Sequence, residues 1–512
     1  MKKILYIIAA AVALMSVSSC LDRYPITAIS EDTYINSAAG VEGTLVSAYA
    51  ACRNFYGEQW RYNELRSDNG RNRVIEMEGR HIDQHYSEFY IQSNTNDGLN
   101  TYLWKPAYTI INRCNIVLDN IDKVTSPTNK AKFQAEALFL RSLVYFDMIR
   151  LFKDVYYVTK QISAQEALEM KPTPNATILE SLITDMEKVA ADNGGLPTPD
   201  AQPTSEIGRA TTFAAKTLLA KMYLTKKEYA KVASTLAPII SKYGTTDLVP
   251  FDQIFRINNE MNKELIFCVR FSGPDKGMGS SINNYFACYG EEGKIIDGEA
   301  NGFCYPSDGL LNLFGIKYVW EASNGDVYVP GVNTPSRIKA ESVDWSEVVD
   351  KRAAVTVAWD LDKVSFWSSK YYGSKAETFK KYDNENDWPV FRYADVLLMS
   401  AEALENTDKT TAVKYVNAIR TRAGLPDLTQ DEITDLHNSI LRERRLEFVS
   451  ENQRYFDLLR EGDQYLIKVM NDQFNNEPYY QTLSGSIPRP GDITSADQIP
   501  LPVPFDMEVL YE

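Results

Sequence analysis

The stretch "GRATTFAAKTLLAKMYLTKKEYAKVASTLAPII" at residues 208–240 predicts two helices joined by a short turn. Apolar residues recur every three or four positions on either side of the "TKKE" segment, which is the spacing of helices with one buried face. The small residues Ala214, Ala215 and Ala220 lie in the first helix, where they let a second helix approach closely. A packed helix-turn-helix unit is therefore the building block that the sequence predicts.

Similar units elsewhere in the chain predict a helical scaffold. The segment "FRYADVLLMSAEALENTDKTTAVKYVNAIRTRAGL" (391–425) repeats the small-residue first helix, and its second helix ends before Gly424. Residues 99–121 and 130–152 form another predicted pair, separated by "DKVTSPTN", and residues 40–56 carry one more apolar stripe. Because these pairs resemble tetratricopeptide repeats but are unevenly spaced, we expect an interrupted scaffold and not a regular solenoid.

Residues from about 243 to 390 follow a different pattern. Gly, Asn, Asp and Ser interrupt short apolar runs such as "ELIFCVRF", and the aromatic residues show no helical period. This part of the chain is predicted to be rich in loops, with a few strands, and residues 63–97 are a second irregular stretch. Ordered loops on a rigid scaffold commonly carry recognition, so we predict ligand binding in these two stretches.

The first twenty residues have the pattern of an export signal. Lys2 and Lys3 precede an unbroken apolar run, Ile4 to Val17, which is too short for a membrane span and is typical of a signal peptide. Ser18 and Ser19 stand directly before Cys20, an arrangement that resembles a bacterial lipoprotein signal in which Cys20 receives lipid. The alternative is an ordinary signal peptide cut near Ser19, and either cleavage takes the protein out of the cytoplasm.

Composition excludes several classes of function. The net charge of −15 argues against binding to nucleic acid and against docking on anionic lipid. Five cysteines follow Cys20 at wide spacing, which resembles scattered buried thiols more than a disulfide framework, although pairing of Cys288 with Cys304 stays open.

The sequence contains no recognisable catalytic motif. Phosphate loops, GxSxG elbows and dinucleotide fingerprints are absent from it. His81 and His85 are four residues apart, but no glutamate follows His81 as a metalloprotease would need. We therefore predict a binding protein without catalytic residues, metal or cofactor.

Eight segments follow one another along the chain in a recognisable order. They are "RSDN" (66–69), "EALFLRSLVYFDMIRLFKDVYYV" (136–158), "GRATTFAAKTLLAKMYL" (208–224), "DKR" (350–352), "VFRYADVLLMSAEALE" (390–405), "AVKYVNAIRTRAGLPDL" (412–428), "ILRERRLEFVSENQRYFDLLREGD" (440–463) and "IPLPVP" near the end. In this order they resemble the SusD/RagB family of Bacteroidetes surface lipoproteins, and the resemblance spans essentially the whole chain.

The resemblance implies a mostly α-helical, SusD-like fold in which tetratricopeptide-like helix pairs support a loop-rich, mixed ligand-binding half. It divides the chain into a lipoprotein signal peptide at 1–19 and a single domain at 20–512. The helical scaffold would lie mainly at 40–242 and 390–463, and the loop-rich insert at about 243–390.

The resemblance also implies a non-catalytic lipoprotein, anchored through Cys20 on the outer face of the outer membrane. Such a protein captures oligosaccharides for a SusC-like TonB-dependent transporter. Two alternatives stay open, namely an oligopeptide-binding RagB-type protein and a surface glycoside hydrolase.

Candidate ligand contacts follow from the chemistry of sugars, which present apolar C–H faces and rims of hydroxyl groups. Exposed rings flanked by polar side chains suit both features. Within the two irregular stretches and at their edges, the residues that fit are Trp60, Tyr62, Asn69, Arg71, Arg73, Tyr285, Tyr289, Tyr318 and Trp320. Packing inside the protein is the alternative role for each of them.

The charged residues of "RERRLEFVSENQRYFDLLR" (442–460) alternate in sign. Arginine forks suit bidentate pairing with carboxylates, so we expect these arginines to tie the scaffold together and not to bind ligand. We expect the same of Arg66 and Asp68.

Overall fold

The computed structural model of the chain describes residues 35–71, 89, 96–273, 275–289, 294–296, 298–330, 332–360, 365–373, 382–482 and 490–504. The predicted signal at 1–19, the predicted lipid anchor Cys20, the predicted contact Arg73 and the pair His81 and His85 lie outside these residues. What the sequence predicts for them stays a prediction.

Helices dominate the described residues, as predicted. Those of eight residues or more are α1 (Ala38–Tyr56), α2 (Lys105–Asp119), α3 (Pro127–Phe152), α4 (Asn175–Val189), α5 (Thr212–Thr225), α6 (Tyr229–Tyr243), α7 (Tyr393–Leu404), α8 (Lys409–Arg422), α9 (Leu436–Glu447), α10 (Arg454–Glu461) and α11 (Asp463–Asn476). Shorter helices are Asn96–Leu99, Ala164–Glu169, Phe251–Ile254, Ile282–Phe286, Asp308–Leu313, Ala353–Thr356, Gln430–Thr434 and Pro478–Gln481.

The predicted helix pairs are confirmed. Helices α5 and α6 pack together, as do α7 and α8, and α2 packs on both α1 and α3. The Thr211 side chain caps α5 by accepting a hydrogen bond from the amide of Ala214, and Ala214, Ala215 and Ala220 are completely buried. Gly424, just beyond α8, has a φ of +77°, which glycine adopts without steric cost where a helix ends.

The strands are short and form four antiparallel pairs in the described part of the chain. They are β1 (Gly70–Arg71), β2 (Leu265–Val269), β3 (Tyr305–Pro306), β4 (Trp320–Ala322), β5 (Pro335–Ile338), β6 (Val357–Asp360), β7 (Ser365–Ser368) and β8 (Trp388–Arg392). The pairs are β1 with β3, β2 with β8, β4 with β5, and β6 with β7. Most of them lie in the predicted loop-rich part, where Leu311, Phe314 and Phe366 form a small second apolar core together with Leu446 and Val449 of the scaffold.

Buried ion pairs join the loop-rich part to the scaffold. Arg392, at the end of β8, lies 2.9 Å from Glu264, 3.0 Å from Glu447 and 2.6 Å from Glu451. Arg352 contacts the same Glu447 at 3.2 Å, and all five side chains are at most 3% exposed. We call Arg352, Arg392, Glu264, Glu447 and Glu451 the arginine cluster. Although burial alone would raise the pKa of Glu447, Arg422, Arg392 and Arg352 lower it to about 2.

The charged residues near the C-terminus are scaffold ties, as predicted. Arg444 lies 2.8 Å from Asp395 on α7 and 2.9 Å from Asp457 on α10. Arg454 is held 2.7 Å from Asp68, and Arg460 pairs with Glu402. These pairs bind three helices and the segment before β1 into one frame.

His437 links three helices through two carboxylates. Its Nδ1 lies 3.1 Å from Glu405, at the end of α7, and its Nε2 lies 3.0 Å from Glu461, at the end of α10. Hydrogen bonds first to Glu405 and then to Glu461 raise the pKa of His437 to about 10.

This histidine should make stability depend on pH in the alkaline range. A histidine in an unfolded chain has a pKa of about 6.5, so its charged form stabilises the fold fully below that pH, and the contribution falls as the pH rises towards 10. Urea unfolding of the protein and of His437→Gln checks this. The difference in unfolding free energy between them should be larger near pH ~6 than near pH ~10, and a constant difference would contradict the assignment.

Two further features concern membrane and redox chemistry. No helix among the described residues combines the length and the apolar character that crossing a bilayer requires. The cysteines among the described residues are buried free thiols, namely Cys52, Cys114, Cys268, Cys288 and Cys304. Cys288 and Cys304 therefore do not form the disulfide that the sequence allows as a possibility.

Candidate functional site

Three half-exposed rings from distant parts of the chain meet on one surface, which we call the aromatic patch: Tyr285, Phe303 and Tyr382. The ring centroid of Tyr285 lies 5.7 Å from that of Phe303 and 5.6 Å from that of Tyr382. Tyr285 comes from a short helix, and the other two rings come from loops. The patch therefore depends on the tertiary fold.

Trp60 forms the floor of the aromatic patch. Its ring is completely buried, 5.5 Å from Tyr285 and 6.1 Å from Phe303, to which it is nearly parallel. The guanidinium of Arg61 lies 4.5 Å from the Trp60 ring, and 5.1 Å and 5.3 Å from the rings of Tyr285 and Tyr102. Cation–π contacts of this kind fix the rings in place.

Polar groups surround the aromatic patch. The hydroxyl of Tyr285 donates to Glu58 at 3.0 Å, and that of Tyr382 donates to Glu299 at 2.7 Å and lies 3.0 Å from the side-chain amide of Asn301. Burial, and then the charge of Glu58, raise the pKa of Tyr285 well above its usual value, so its hydroxyl stays protonated. Carboxylate and amide groups at the edge of exposed rings can accept hydrogen bonds from a hydroxylated ligand.

Asn284 holds the loops of the aromatic patch together. This buried side chain donates to the carbonyl of Glu299 at 2.9 Å and accepts from the amide of Tyr382 at 3.2 Å and from the Asn384 side chain at 2.9 Å. Tyr382 itself has a φ of +57°, in the left-handed region that residues with side chains rarely adopt. Such strained positions persist only where the surroundings enforce them.

The structure corrects part of the predicted contact set. Trp60 and Tyr62 are 0% exposed, so their rings form core and cannot lie against a ligand. Asn69 is 1% exposed and accepts a hydrogen bond from Arg445, and Arg71 lies over the Tyr479 ring at 3.8 Å. Residues from the C-terminal part of the chain cover Asn69 and Arg71. Trp60 is instead covered by the rings of residues 285, 286 and 303, and the Tyr62 hydroxyl donates to the carbonyl of Gly98. These covering segments are distant in sequence, so a single sequence does not display the burial.

The other predicted contacts fall in different places. Tyr285 belongs to the aromatic patch, and Tyr289 is 48% exposed. The Tyr318 hydroxyl and the Trp320 indole N–H donate to one Asp308 oxygen, at 2.7 Å and 3.2 Å, so their polar atoms hold β4 against the short helix at Asp308. Ligand contact at Tyr289, Tyr318 and Trp320 stays a prediction.

The contacts predicted from the sequence do not include most residues of the patch and its edge, namely Phe303, Tyr382, Glu58, Glu299 and Asn301. Local composition is the sequence feature that could have identified them. The segments "GEANGFCYP" and "KKYDNEN" both place an aromatic residue near Asn, Asp or Glu in the loop-rich part. Their convergence on Tyr285 depends on loop paths.

A buried carboxylate pair near the predicted contacts has a structural role. Glu477 accepts from the amides of Gly309 at 2.7 Å and Asp308 at 3.3 Å, so it caps the short helix. Burial and the neighbouring Asp308 raise the pKa of Glu477. Both carboxylates are less than 10% exposed, and neither has the access to a substrate that glycoside hydrolysis needs. No group of three or more potential metal ligands occurs among the described residues.

Comparison with known proteins finds a SusD-type family match in each half of the chain. A family model described as "SusD family" matches residues 263–484, and one described as "Starch-binding associating with outer membrane", a SusD-like model, matches residues 21–224. SusD-like protein P25 from Formosa agariphila is 25% identical over 92% of either chain. SusD-like protein P2 of the same organism is also 25% identical, over 98% of this chain and 97% of its own.

Solved structures share the fold. A SusD-like carbohydrate binding protein from Bacteroides fragilis superposes with a TM-score of 0.74 at 20% identity, covering 94% of this chain and 99% of its own. Surface glycan-binding protein A from Bacteroides thetaiotaomicron, solved in complex with laminarihexaose, superposes with a TM-score of 0.69 at 19% identity, covering 92% of this chain and 97% of its own.

Proposed function

Because this chain belongs to the SusD family, we propose that it is a non-catalytic glycan-binding protein that captures oligosaccharides on the aromatic patch. The observation that carries the proposal is the convergence of Tyr285, Phe303 and Tyr382 on one surface edged by hydrogen-bond acceptors. Relatives with the same fold that are described as glycan-binding support it.

The chemistry of the patch suits sugars. The apolar C–H face of a pyranose packs on aromatic rings, and burial of apolar surface contributes about 25 cal/mol per Å². The acceptors Glu299, Asn301 and Glu58 would take hydrogen bonds from ligand hydroxyl groups at the edge of that contact. The rings are already held by Asn284 and Arg61, so little ordering is needed on binding.

The proposed location follows from the export signal. A lipid on Cys20 would hold the protein on the outer face of the outer membrane, in agreement with the description of the matched starch-binding model. There it would pass its ligand to a SusC-like TonB-dependent transporter. The alternative to a glycan is an oligopeptide, because aromatic rings with polar edges suit peptides as well.

Replacing Tyr382 with alanine should weaken oligosaccharide binding by at least about ten-fold, or ~1.4 kcal/mol. The substitution removes a half-exposed ring and the hydroxyl that orders Glu299 and Asn301, while the buried core keeps its contacts. Isothermal titration of the purified protein measures this with laminari-, malto-, xylo- and manno-oligosaccharides and with mixed peptides.

Tyr415→Ala is the matched control, because Tyr415 is a half-exposed tyrosine on α8, outside the aromatic patch. Its binding should equal that of the unchanged protein. Equal binding by Tyr382→Ala would contradict the site, binding of peptides alone would favour the oligopeptide alternative, and binding of no probe would contradict ligand capture.

A further inference from the structure

A groove adjoins the aromatic patch where α1 ends. It has a volume of about 390 Å³ and lies between the last turn of α1, the turn that precedes α2, and a wall made by Phe271 and residues 277–281. We call it the helix-end groove; its lining includes Asn54, Glu58, Tyr102, Gly277, Met278 and Ser281. Concave sites of this size, with apolar floors and a few polar groups, are typical of small-ligand binding.

A π-helical turn, Asn100–Trp104, opens one wall of the helix-end groove. The amide of Lys105 bonds to the carbonyl of Asn100, five residues earlier, so this turn is wider than an α-helical one. The widening presents Thr101 and Tyr102 outward, and Tyr102 is 40% exposed. Turns of this kind are rare and frequently occur at functional sites.

The opposite wall is fixed to the aromatic patch. The amide of Ser280 donates to the carbonyl of Asn384 at 2.7 Å, and the reverse bond is 3.0 Å long. Gly279 lies so close to this segment that a Cβ atom on it would be 2.4 Å from the Cα of Asp383. The loop that forms the wall is thus joined to the segment that carries Tyr382.

Two residues are shared by the helix-end groove and the patch. Glu58 lines the groove and accepts from the Tyr285 hydroxyl. Tyr102 lines the groove and lies over Arg61, whose guanidinium also contacts Tyr285 and Phe303. The two surfaces are therefore continuous.

We propose that the helix-end groove is a second subsite, which holds the sugar units that extend from those on the aromatic patch. The proposal rests on the proposed function, and it specifies the ligand further as an oligosaccharide long enough to occupy both surfaces. Asn54 and Ser281 supply hydrogen-bonding groups for sugar hydroxyls, while Met278 and the Tyr102 ring supply apolar contact.

The test compares ligand lengths. Titration with trisaccharides and hexasaccharides of the series that binds should show at least about ten-fold tighter binding of the hexasaccharide. Asn54→Arg, which places a long side chain across the groove from an exposed helical position, should abolish this gain.

Val46→Arg is the control, because Val46 is 49% exposed on the same helix and outside the groove lining. It should keep the full gain with length. Equal affinity for both lengths, or an unchanged gain in Asn54→Arg, would overturn the second subsite while leaving the patch intact. Trisaccharide binding by Tyr382→Ala tests the patch separately, because loss of binding supports the patch and unchanged binding contradicts it.

Discussion

Replacing Arg392 with methionine should lower the free energy of unfolding by about 3–5 kcal/mol, as expected when one partner of a buried ion pair is removed. Arg392 is 2% exposed and is the cation that pairs with all three of Glu264, Glu447 and Glu451, which are themselves buried. Arg422, Arg352 and Lys370 each pair with one or two of these carboxylates. Methionine keeps an unbranched apolar stem but lacks the guanidinium group, so the carboxylates face one another without this charge. Urea unfolding followed by circular dichroism measures the loss.

A lysine at this position should restore little of that stability. Arg392 uses all three of its guanidinium nitrogens, and an ammonium group cannot reproduce their planar arrangement. The matched control is Lys468→Met, since Lys468 pairs with Asp472 on the exposed face of α11 and should contribute almost nothing. A loss below about 1 kcal/mol in Arg392→Met would contradict the role given to the arginine cluster.

Trp60→Ala should also destabilise the protein strongly, by about 3–5 kcal/mol, the range for a large buried ring replaced by alanine. Trp60 contacts Tyr285, Phe286 and Phe303, so its removal leaves a cavity directly beneath the aromatic patch. Oligosaccharide affinity should fall with stability, because the rings above lose their support. Denaturation and titration of the same variant measure both effects.

Trp60→Phe separates packing from polar contact. Among the described residues the buried indole Nε1 of Trp60 has no hydrogen-bond partner, so phenylalanine removes volume but breaks no hydrogen bond within this part of the chain. This variant should keep most of the stability and of the binding, whereas Tyr382→Ala should lose binding with nearly unchanged stability. If Trp60→Ala lost binding at full stability, Trp60 would be a ligand contact and the floor assignment would be wrong.

The helical scaffold could be predicted because its information is local. The period of apolar residues at 208–240 and 391–425, and the small residues within them, predict α5 to α8 to within a few residues. The alternating charges at 442–460 likewise predict ties such as Arg444 with Asp457, because arginine in such a pattern requires carboxylate partners.

The candidate site could be predicted only in part, because it is not local. The sequence around Tyr285 predicts this residue as a contact, but its partners Phe303 and Tyr382 reach it through loops held by the Asn284 side chain and by backbone hydrogen bonds. The sequence predicts Trp60 and Tyr62 to be exposed rings, but the folded chain buries both of them. Composition can predict that a segment uses its aromatic residues in binding, whereas the burial of each ring depends on which distant segments cover it.

Asn284 has a consequence for how the binding surface can be altered. The side-chain amide of Asn284, together with backbone hydrogen bonds from residues 301–303 to residues 284, 285 and 287, holds both loops that bring Phe303 and Tyr382 to Tyr285. The outward-facing side chains of those loops can therefore be exchanged while the anchoring bonds stay in place. A library randomised at the patch and its acceptors, with Asn284 and the helical frame kept constant, is the direct route to retargeting this chain to a chosen sugar.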